Sequence, residues 1–465
     1  MAPSIHIIPE NHLPGRAEIV LNFDLTPEQK ELQARVRAFA IKEVLPAVWH
    51  YDEEDEIPLF VLQKAFAAGF INSDIPAEYG GRGLGLIDGA ILTEEISAAC
   101  PGVATSMFDN SLGMAPLMLS DNEPLKEKIL PLLAREFKRI CFATSEPLMG
   151  SDVAGMRCQA EKTGDDYILN GTKYWITNAG VADYMTVFAT TDPAKQHEGL
   201  GAFLVKKDWD GVSVGKPIPK LGQRCSNTAG LHFRNVRVPK ENVIAEPGKG
   251  FVLAMRTFSR TRPIIGAFAV GAARSAMEYA IDYARKRKAF GTRLSNFEAI
   301  QFKIAEMYQK VETSRLLVWK AAWEADNGID PTTSASIAKF YATEAAMEVV
   351  NEALQIFGGY GYTKMFPIEK LLRDIRLFSI YEGTSEVQRL IVSGYVLNSY
   401  KPAMPPLEDL PLLRALDLND PSAANAPAWR CRICGHIHYA EEPPEECPSC
   451  FYPKTAFKKV WPAAG

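Results

Sequence analysis

No run of about eighteen or more apolar residues occurs in this chain, so no transmembrane segment is expected. The first stretch, Met1 to Phe23, lacks the basic-then-apolar order of a secretory signal. Strong charge of either sign is missing too. A net charge of −5 over 465 residues gives no reason to expect nucleic acid or an anionic membrane as a partner. Cysteine is sparse through the body of the chain. Cys100, Cys141, Cys158 and Cys225 are scattered and expected to be reduced. A cytoplasmic enzyme is the default that these absences leave.

What is present is length and ordinary globular composition. A chain of 465 residues with 47% hydrophobic content exceeds a single core, so two to four domains are expected. Residues 1–23 read as an extension of little structure. A helix starts at Thr26, with Pro27 at the first helical position and Gln29 completing a capping box. Leu32, Val36 and Phe39 then fall on one face. Helical patterns alternate with Gly/Pro breaks over 24–144. The glycines of Tyr79 to Gly85 suggest a phosphate loop, but no strand precedes them and no Lys-Ser/Thr follows, so a plain loop is expected.

Over 145–250 short strands replace the helices. Tyr167 to Leu169, then Asn170-Gly171, then Thr172 to Trp175 predict a hairpin. Val187 to Ala189, Ala202 to Val205 and Leu231 to Phe233 predict further strands. The segment 251–400 is helical again. Residues 264–285 are apolar on more than one side, which points to a buried helix in the core or at a subunit interface. Another helix starts at Asp330-Pro331, shows Ile337, Phe340, Met347, Val350 and Leu354 as its apolar face, and stops at Gly358-Gly359. Eleven of the 31 prolines lie beyond Tyr400, so 401–428 reads as a linker before a small module at 429–465.

The chain is organised around Leu371 to Arg389. A mixed apolar–basic helix runs from Leu371 to Ile380, breaks at Tyr381-Glu382-Gly383-Thr384 and resumes from Ser385. Glu382 therefore sits where one helix ends and another begins. A carboxylate on an apolar wall is a natural general base, because burial raises its pKa. A helix-terminal Glu with an ordinary capping role is the plain alternative. Thr384 and Ser385 are placed to cap the second helix.

The sharpest motif lies at the end of the chain. Cys431 and Cys434 form one CxxC, twelve residues intervene, and Cys447 and Cys450 form a second. Two such knuckles bring four thiolates to the corners of a tetrahedron suited to iron or zinc. Gly435 lets the first knuckle turn. The stretch WRCRICGHIHYAEEPPEECPSC resembles the rubredoxin-like domain at the end of rubrerythrins, which implies one redox iron. A structural zinc ribbon is the alternative.

A second constellation is spread along the chain. Cys141 to Pro147, then Gly150-Ser151-Asp152, places hydroxyls on a turn between domains. Trp175 and Thr177 follow a strand. Arg287-Lys288-Ala289-Phe290-Gly291 sets a basic cluster and an aromatic at a helix end, fit for a pyrophosphate. Gln355 to Gly361 allows close approach of a ligand to backbone.

In this order, and ending in YEGT, these motifs make residues 24–400 resemble the acyl-CoA dehydrogenase family, its medium- and short-chain branch best. NSLG at 110–113, TRP at 261–263 and VPKENV at 238–243 extend the likeness. The resemblance implies a multidomain α+β fold. An N-terminal helical domain, a middle β-barrel-like domain and a C-terminal four-helix bundle would precede the small rubredoxin-like metal-binding tail. It also implies a homotetramer with FAD bound across subunits, an acyl-CoA substrate, and an electron-transferring flavoprotein or other redox carrier as partner.

Residue by residue, Glu382 matches the base that takes the α-proton while the β-hydrogen leaves as hydride to flavin N5. Phe142, Thr144, Ser145 and Ser151 match the flavin-contacting turn, Ser151 lying also near the CoA arm. Trp175 and Thr177 match residues flanking the flavin ring. Arg287, Phe290, Gln355, Gly358 and Gly359 match those reaching a neighbouring subunit's FAD. Thr384 and Glu386 match adenine-side contacts. Arg262 matches the arginine near the thioester, and Tyr381 and Gly383 border the acyl pocket.

Some positions depart from the family pattern. Glu298 stands where a Gln often meets the cofactor. Leu148-Met149 adds bulk after Glu146-Pro147, and Ser259 replaces an Asp near the CoA. Phe108-Asp109 replaces Glu-Gly at what should be the pocket floor. Phe108 should shorten or reshape the acyl channel, and Asp109 is a candidate second acid/base. Straight, branched, cyclic and aromatic acyl groups all stay open. The rival readings are an acyl-CoA oxidase, a reductase running the reaction backwards, and a non-enzymatic scaffold with a zinc ribbon.

Overall fold

The computed structural model describes residues 23–404, 427–449 and 451–461. The expected extension 1–23 (Phe23 apart), most of the 401–428 linker and Cys450 lie outside the described residues. The chain divides into two compact units, Met1–Gly394 and Tyr395–Gly465.

The first unit opens with α1 (Pro27–Phe39), whose capping box between Thr26 and Gln29 forms as the local sequence requires. After one π-helical turn come α2 (Leu45–Glu53), α3 (Leu59–Ala67), α4 (Leu86–Ala99), α5 (Pro101–Met118) and α6 (Glu123–Arg135). The stretch Tyr79 to Gly85 is a short 3₁₀ turn and loop.

The middle segment forms one eight-stranded sheet. Its strands are β1 (Ile140–Ala143), β2 (Gln159–Thr163), β3 (Asp166–Thr177), β4 (Tyr184–Thr190), β5 (Leu200–Lys206), β6 (Val212–Val214), β7 (Thr228–Val238) and β8 (Val243–Ala245). The order is β6-β7-β3-β2-β4-β5-β8, with β1 parallel to β4. Strand β1 thus joins the sheet although it falls within the 24–144 segment.

The hairpin expected at Asn170-Gly171 is not there. Strand β3 runs straight through the dipeptide, and the turn comes earlier, at Gly164 (φ 64) between β2 and β3. Asn170-Gly171 is instead an irregularity in the β3–β7 pairing. Asn170 Oδ1 accepts from the Asn235 N–H of β7 at 2.8 Å, and a Cβ on Gly171 would stand 2.8 Å from the Cys158 backbone.

The helical C-terminal part begins with α7 (Gly250–Lys286), followed by the hairpin β9 (Lys288–Ala289) and β10 (Thr292–Arg293). Then come α8 (Glu298–Asp326), α9 (Thr332–Phe357), α10 (Ile368–Ile375) and α11 (Ser385–Asn398). Helix α7 is long and apolar enough to cross a membrane by length and composition. Its faces are instead covered by α9, α4, α8 and α5, so it is a core helix of this chain. The buried carboxylates of Glu94 and Glu95 on α4 are matched by Arg274 of α7, Arg315 of α8 and Arg37 of α1.

Helix α9 corrects its predicted face. Of Ile337, Phe340, Met347, Val350 and Leu354, only Val350 is fully buried. The core side carries Ala335, Ala338, Lys339, Ala342, Ala346 and Val349. Small residues there let α7 and α9 approach closely. The expected helix from Leu371 starts earlier, at Ile368, and tightens to 3₁₀ over Arg376–Ser379 before the break.

In the second unit β11 (Ala428–Cys431) pairs with β12 (Ile437–Tyr439) and with β13 (Phe457–Trp461). Both cysteine knuckles use one turn. The Gly435 N–H donates to Cys431 O at 2.9 Å, and the Phe451 N–H to Cys447 O at 2.8 Å. Gly435 (φ 80) and Phe451 (φ 58) both take the left-handed conformation that closes it.

Candidate active site

The break after α10 is built from three directions. Helix α10 carries Lys370 and Asp374, both buried and in direct contact, with Asp52 3.7 Å from the Lys370 ammonium. The loop before β7 docks on this helix end. Gly222 lies so close that a Cβ would stand 2.3 Å from the Arg373 carbonyl carbon. Gln223 donates its backbone N–H to the Asp374 carboxylate and its Nε2 to Asp374 O at 3.0 Å. Its Oε1 accepts from Thr105 Oγ1 of α5 at 3.0 Å, and that hydroxyl lies 3.5 Å from the Tyr381 OH. Tyr381 is therefore located by an N-terminal helix and a sheet loop together.

Glu382 follows in an unusual backbone state. Glu382 (φ 56) and Gly383 (φ 86) are both left-handed. Only glycine adopts that region freely, so Glu382 is held there by its surroundings. Lys339 Nζ, from the core of α9, donates to Gly383 O at 2.8 Å. Gln388 Nε2 donates to Gly383 O at 2.9 Å and to Glu382 O at 3.2 Å. Thr384 caps α11, its Oγ1 accepting from the Val387 N–H at 3.3 Å.

The Glu382 carboxylate faces α7. Thr261 Oγ1 donates to its Oε2 at 2.9 Å. Burial raises the carboxyl's pKa above the ordinary range, opposed by the Thr261 hydrogen bond and by the charges of Arg262 and Lys339. Burial also lowers Lys339, to about 7. Arg262 is buried beside them with its Nε unpartnered. Among the described residues the backbone N–H of Glu382 makes no hydrogen bond. A base with a raised pKa, an unpartnered amide and two cations thus share one half-exposed turn.

The other predicted residues fall into groups. Phe142 is buried between the sheet and the helices, its ring 5.5 Å from that of Phe258 on α7, and Thr144 is buried with its Oγ1 unpartnered. Lys173, wholly buried, holds Thr144 O at 3.0 Å and pairs with Glu146 at 2.8 Å, so Glu146 is structural. Ser145 is half-buried, and Ser151 is exposed on the same turn. Trp175 (φ 56) is exposed at the end of β3, two residues before half-buried Thr177.

Phe290 (φ 50) and Gly291 (φ 78) form the tip of the β9–β10 hairpin, and the Phe290 side chain is 97% exposed. Arg287, at the base of that hairpin, lies over the Tyr360 ring at 6.0 Å, which brings it beside exposed Gly358 and Gly359. Gln355 is exposed on the last turn of α9, and Glu386 on the first of α11. Glu298 is exposed at the start of α8, and Ser259 meets Thr332 Oγ1 at 3.1 Å.

Phe108 and Asp109 separate. Asp109 is buried, with Oδ2 accepting from Asn178 Nδ2 at 3.0 Å. Burial pushes its carboxyl far above the ordinary range, against the pull of Arg139 and Asn178. Phe108 lines an open cleft instead. Sequence reasoning missed Thr261, Lys339, Gln223 and Gln388 as parts of the site. A lysine among alanines on the core side of α9 was the one available signal. Cys100 and Cys225, scattered in the chain, are neighbours in space.

In the tail, the Sγ atoms of Cys431, Cys434 and Cys447 all lie within 4.8 Å of one another, Cys434 and Cys447 at 3.5 Å. Three converging thiols are a donor set that suits a thiophilic metal.

Residues 26–136, 141–236 and 248–397 match the N-terminal, middle and C-terminal domain models of acyl-CoA dehydrogenases. Residues 429–458 match the rubredoxin-like domain of rubrerythrin. A probable acyl-CoA dehydrogenase, fadE25, of Mycobacterium leprae is 43% identical over 376 residues, covering 81% of this chain and 97% of the relative. Among solved structures, butyryl-CoA dehydrogenase from Megasphaera elsdenii matches with a TM-score of 0.80 at 36% identity, over 81% of this chain and 100% of that one. A glutaryl-coenzyme A dehydrogenase complexed with glutaryl-CoA matches with a TM-score of 0.78 at 33% identity, over 82% and 98%.

Proposed function

The chain belongs to the acyl-CoA dehydrogenase family and is an oxidoreductase acting on acyl-CoA, and from that premise we propose that Glu382 takes the α-proton of an acyl-CoA thioester to give the enoyl-CoA. The observation that carries this reading is the Glu382 carboxylate, raised in pKa by burial and held by Thr261. Thr261 anchors Oε2 and leaves the carboxylate a second oxygen with which to accept the proton. An α-C–H is a very weak acid, so negative charge building on the thioester oxygen must be met by donors. The unpartnered Glu382 N–H is the donor this chain offers. Arg262 and Lys339 add positive potential beside it.

FAD, when bound, supplies the hydride acceptor for the β-hydrogen. The residues present fit it. Thr144 offers a buried, unpartnered hydroxyl, and Trp175 an exposed aromatic face. Phe142, Ser145, Ser151 and Thr177 complete that side, with Thr384 and Glu386 on the adenine side. Arg287, Phe290, Gln355, Gly358 and Gly359, all exposed, would hold the FAD of a neighbouring subunit in a homotetramer. Ser151, Arg262, Tyr381, Gly383, Phe108 and Asp109 would meet the substrate. On this reading the middle sheet is barrel-like and the C-terminal helices form a four-helix bundle. The domains would be 24–144 less β1, 145–250 together with β1, 251–400 and 429–465, and the location is cytoplasmic.

Cys431, Cys434, Cys447 and Cys450 would hold one iron, whose one-electron chemistry would suit the tail as a relay toward an electron-transferring flavoprotein or other carrier. Anaerobic mixing of the FAD-loaded protein with an acyl-CoA panel tests the core reading. Flavin bleaching by at least one saturated acyl-CoA is expected, and no bleaching by any of them overturns it.

A further inference from the structure

Among the described residues three lysines are buried, Lys173, Lys370 and Lys339. Taking an ammonium out of water is costly, so a buried one persists only where something holds its charge. Lys173 pairs with Glu146 at 2.8 Å, and Lys370 touches Asp374 directly. Lys339 differs. Among the described residues it makes no ion pair, and its one hydrogen bond runs from Nζ to the carbonyl oxygen of Gly383 at 2.8 Å. The carboxylates of Glu382, Glu386 and Glu344 act on it only at a distance. Its long stem, set among the alanines on the core side of α9, reaches out of the helix to one backbone oxygen.

That oxygen belongs to the turn of the base. Gln388 Nε2, on α11, donates to the same Gly383 oxygen at 2.9 Å and to Glu382 O at 3.2 Å, and Gln388 is itself wholly buried. Both acceptor positions of the Gly383 carbonyl are thus filled, one from α9 and one from α11. Two successive peptide groups are pinned. Glu382 (φ 56) is left-handed, a state that a residue with a β-carbon leaves unless its surroundings hold it. On the far side, Thr261 of α7 donates to Oε2 at 2.9 Å. Two helices therefore fix the backbone of Glu382, and a third fixes its carboxylate. The angle between the Glu382 N–H and its carboxylate depends on φ at this one residue. These are the two groups that must meet one thioester together, the first at its oxygen and the second at its α-carbon.

We propose that Lys339 and Gln388 are positioning residues of the reaction, a two-donor clamp on the Gly383 carbonyl that keeps Glu382 left-handed and so aims its N–H and its carboxylate at the same thioester. This rests on the acyl-CoA reading above. Both side chains act through the peptide groups that follow the base. Lys339 has a second effect, since its charge favours the ionised form of Glu382. The other charged and titratable groups that interact with Glu382 are Arg262 of α7, Asp109 of α5 and Tyr381 beside it. Lys339 in turn faces Glu382, Arg262, Glu386 and Glu344. Gln388 carries no charge, so pH separates the two members of the clamp.

The test uses the full-length FAD-loaded protein and its Lys339→Met and Gln388→Leu variants. Bound FAD and the denaturant midpoint report folding. Anaerobic flavin bleaching by the acyl-CoA that the native protein takes best gives a saturating rate and a half-saturating concentration. A misplacement of about 1 Å costs about 100-fold in rate. The saturating rate should fall at least about tenfold in each variant, with the half-saturating concentration changed less than about threefold. The acid limb of the rate should move to higher pH in Lys339→Met, which lacks the charge, and stay in place in Gln388→Leu. A folded, FAD-loaded Lys339→Met that bleaches within about twofold of the native rate overturns the proposal. A loss confined to the half-saturating concentration does so too, as does a slowed Lys339→Met whose limb has not moved, which marks a general loosening of α9. If Lys339→Met does not hold FAD, the rate of Gln388→Leu decides. A native protein that no acyl-CoA bleaches removes the functional reading itself, whereas native bleaching matched by both variants removes only the clamp.

Discussion

Lys339 donates to the carbonyl oxygen of Gly383 at 2.8 Å, from a position on α9 where its side chain is wholly buried. That bond ties the left-handed turn carrying Glu382 to the helical core. It also places a side chain whose pKa is lowered to about 7 within range of the Glu382 carboxylate.

Replacing Glu382 with Gln should leave the fold and FAD binding in place and remove α-proton abstraction. A positioned general base is worth roughly 10²–10⁴-fold, and an unactivated C–H should sit at the upper end. Stopped-flow bleaching under anaerobic conditions measures it. Full-speed bleaching would reject Glu382, and any residual rate is to be sought in the Glu382→Gln, Asp109→Asn double variant.

The pH profile should follow the same carboxylate. Glu382 must be ionised to accept a proton, so kcat/KM should rise with pH through a pKa above the ordinary carboxylate range. Thr261→Val removes a donor that favours the charged form. The acid limb should then move to higher pH while the high-pH plateau changes less. A limb that stays in place would show that Thr261 does not tune the base.

Lys370→Met should destabilise the fold strongly. Lys370 is 3% exposed and Asp374 is 0% exposed, in direct contact, and removal of the ammonium leaves the carboxylate short of charge compensation. Breaking a buried pair costs about 3–5 kcal/mol. Denaturant unfolding measures it, and a loss under about 1 kcal/mol would mean that the Gln223 N–H already suffices for Asp374 and Arg373 for Asp52.

The tail is tested by metal and by truncation. Cys431→Ser should lose bound iron, read by metal analysis and visible absorption. Truncation after Ala428 should leave flavin bleaching by acyl-CoA intact and slow turnover with the physiological acceptor. Protein made with iron available that holds only zinc would exclude the relay, as would full-rate turnover of the truncated chain with every acceptor.

What the sequence by itself determined is what depends on neighbours along the chain. The Thr26–Gln29 box closes over three residues, the break at Tyr381 to Thr384 interrupts one helix, and each CxxC knuckle folds within five. Such features carry their own hydrogen-bond partners, so the pattern specifies the geometry. Family motifs single out Glu382 for the same reason, since YEGT is a contiguous string.

Tertiary structure alone decided the rest. Asn170-Gly171 suits a hairpin turn and a bulge equally, and pairing with β7 selected the bulge. Lys339 sits in a helical stretch whose local pattern does not mark it, and packing against α7 buries it. Thr261 reaches Glu382 across 121 residues, and Asn178 reaches Asp109 across 69. The run of aromatic contacts from Phe108 to Tyr381 draws one ring from α5, one from α7 and two from the segment after α10. A burial-raised pKa or a run of ring contacts belongs to the space between elements, and no local pattern encodes that space.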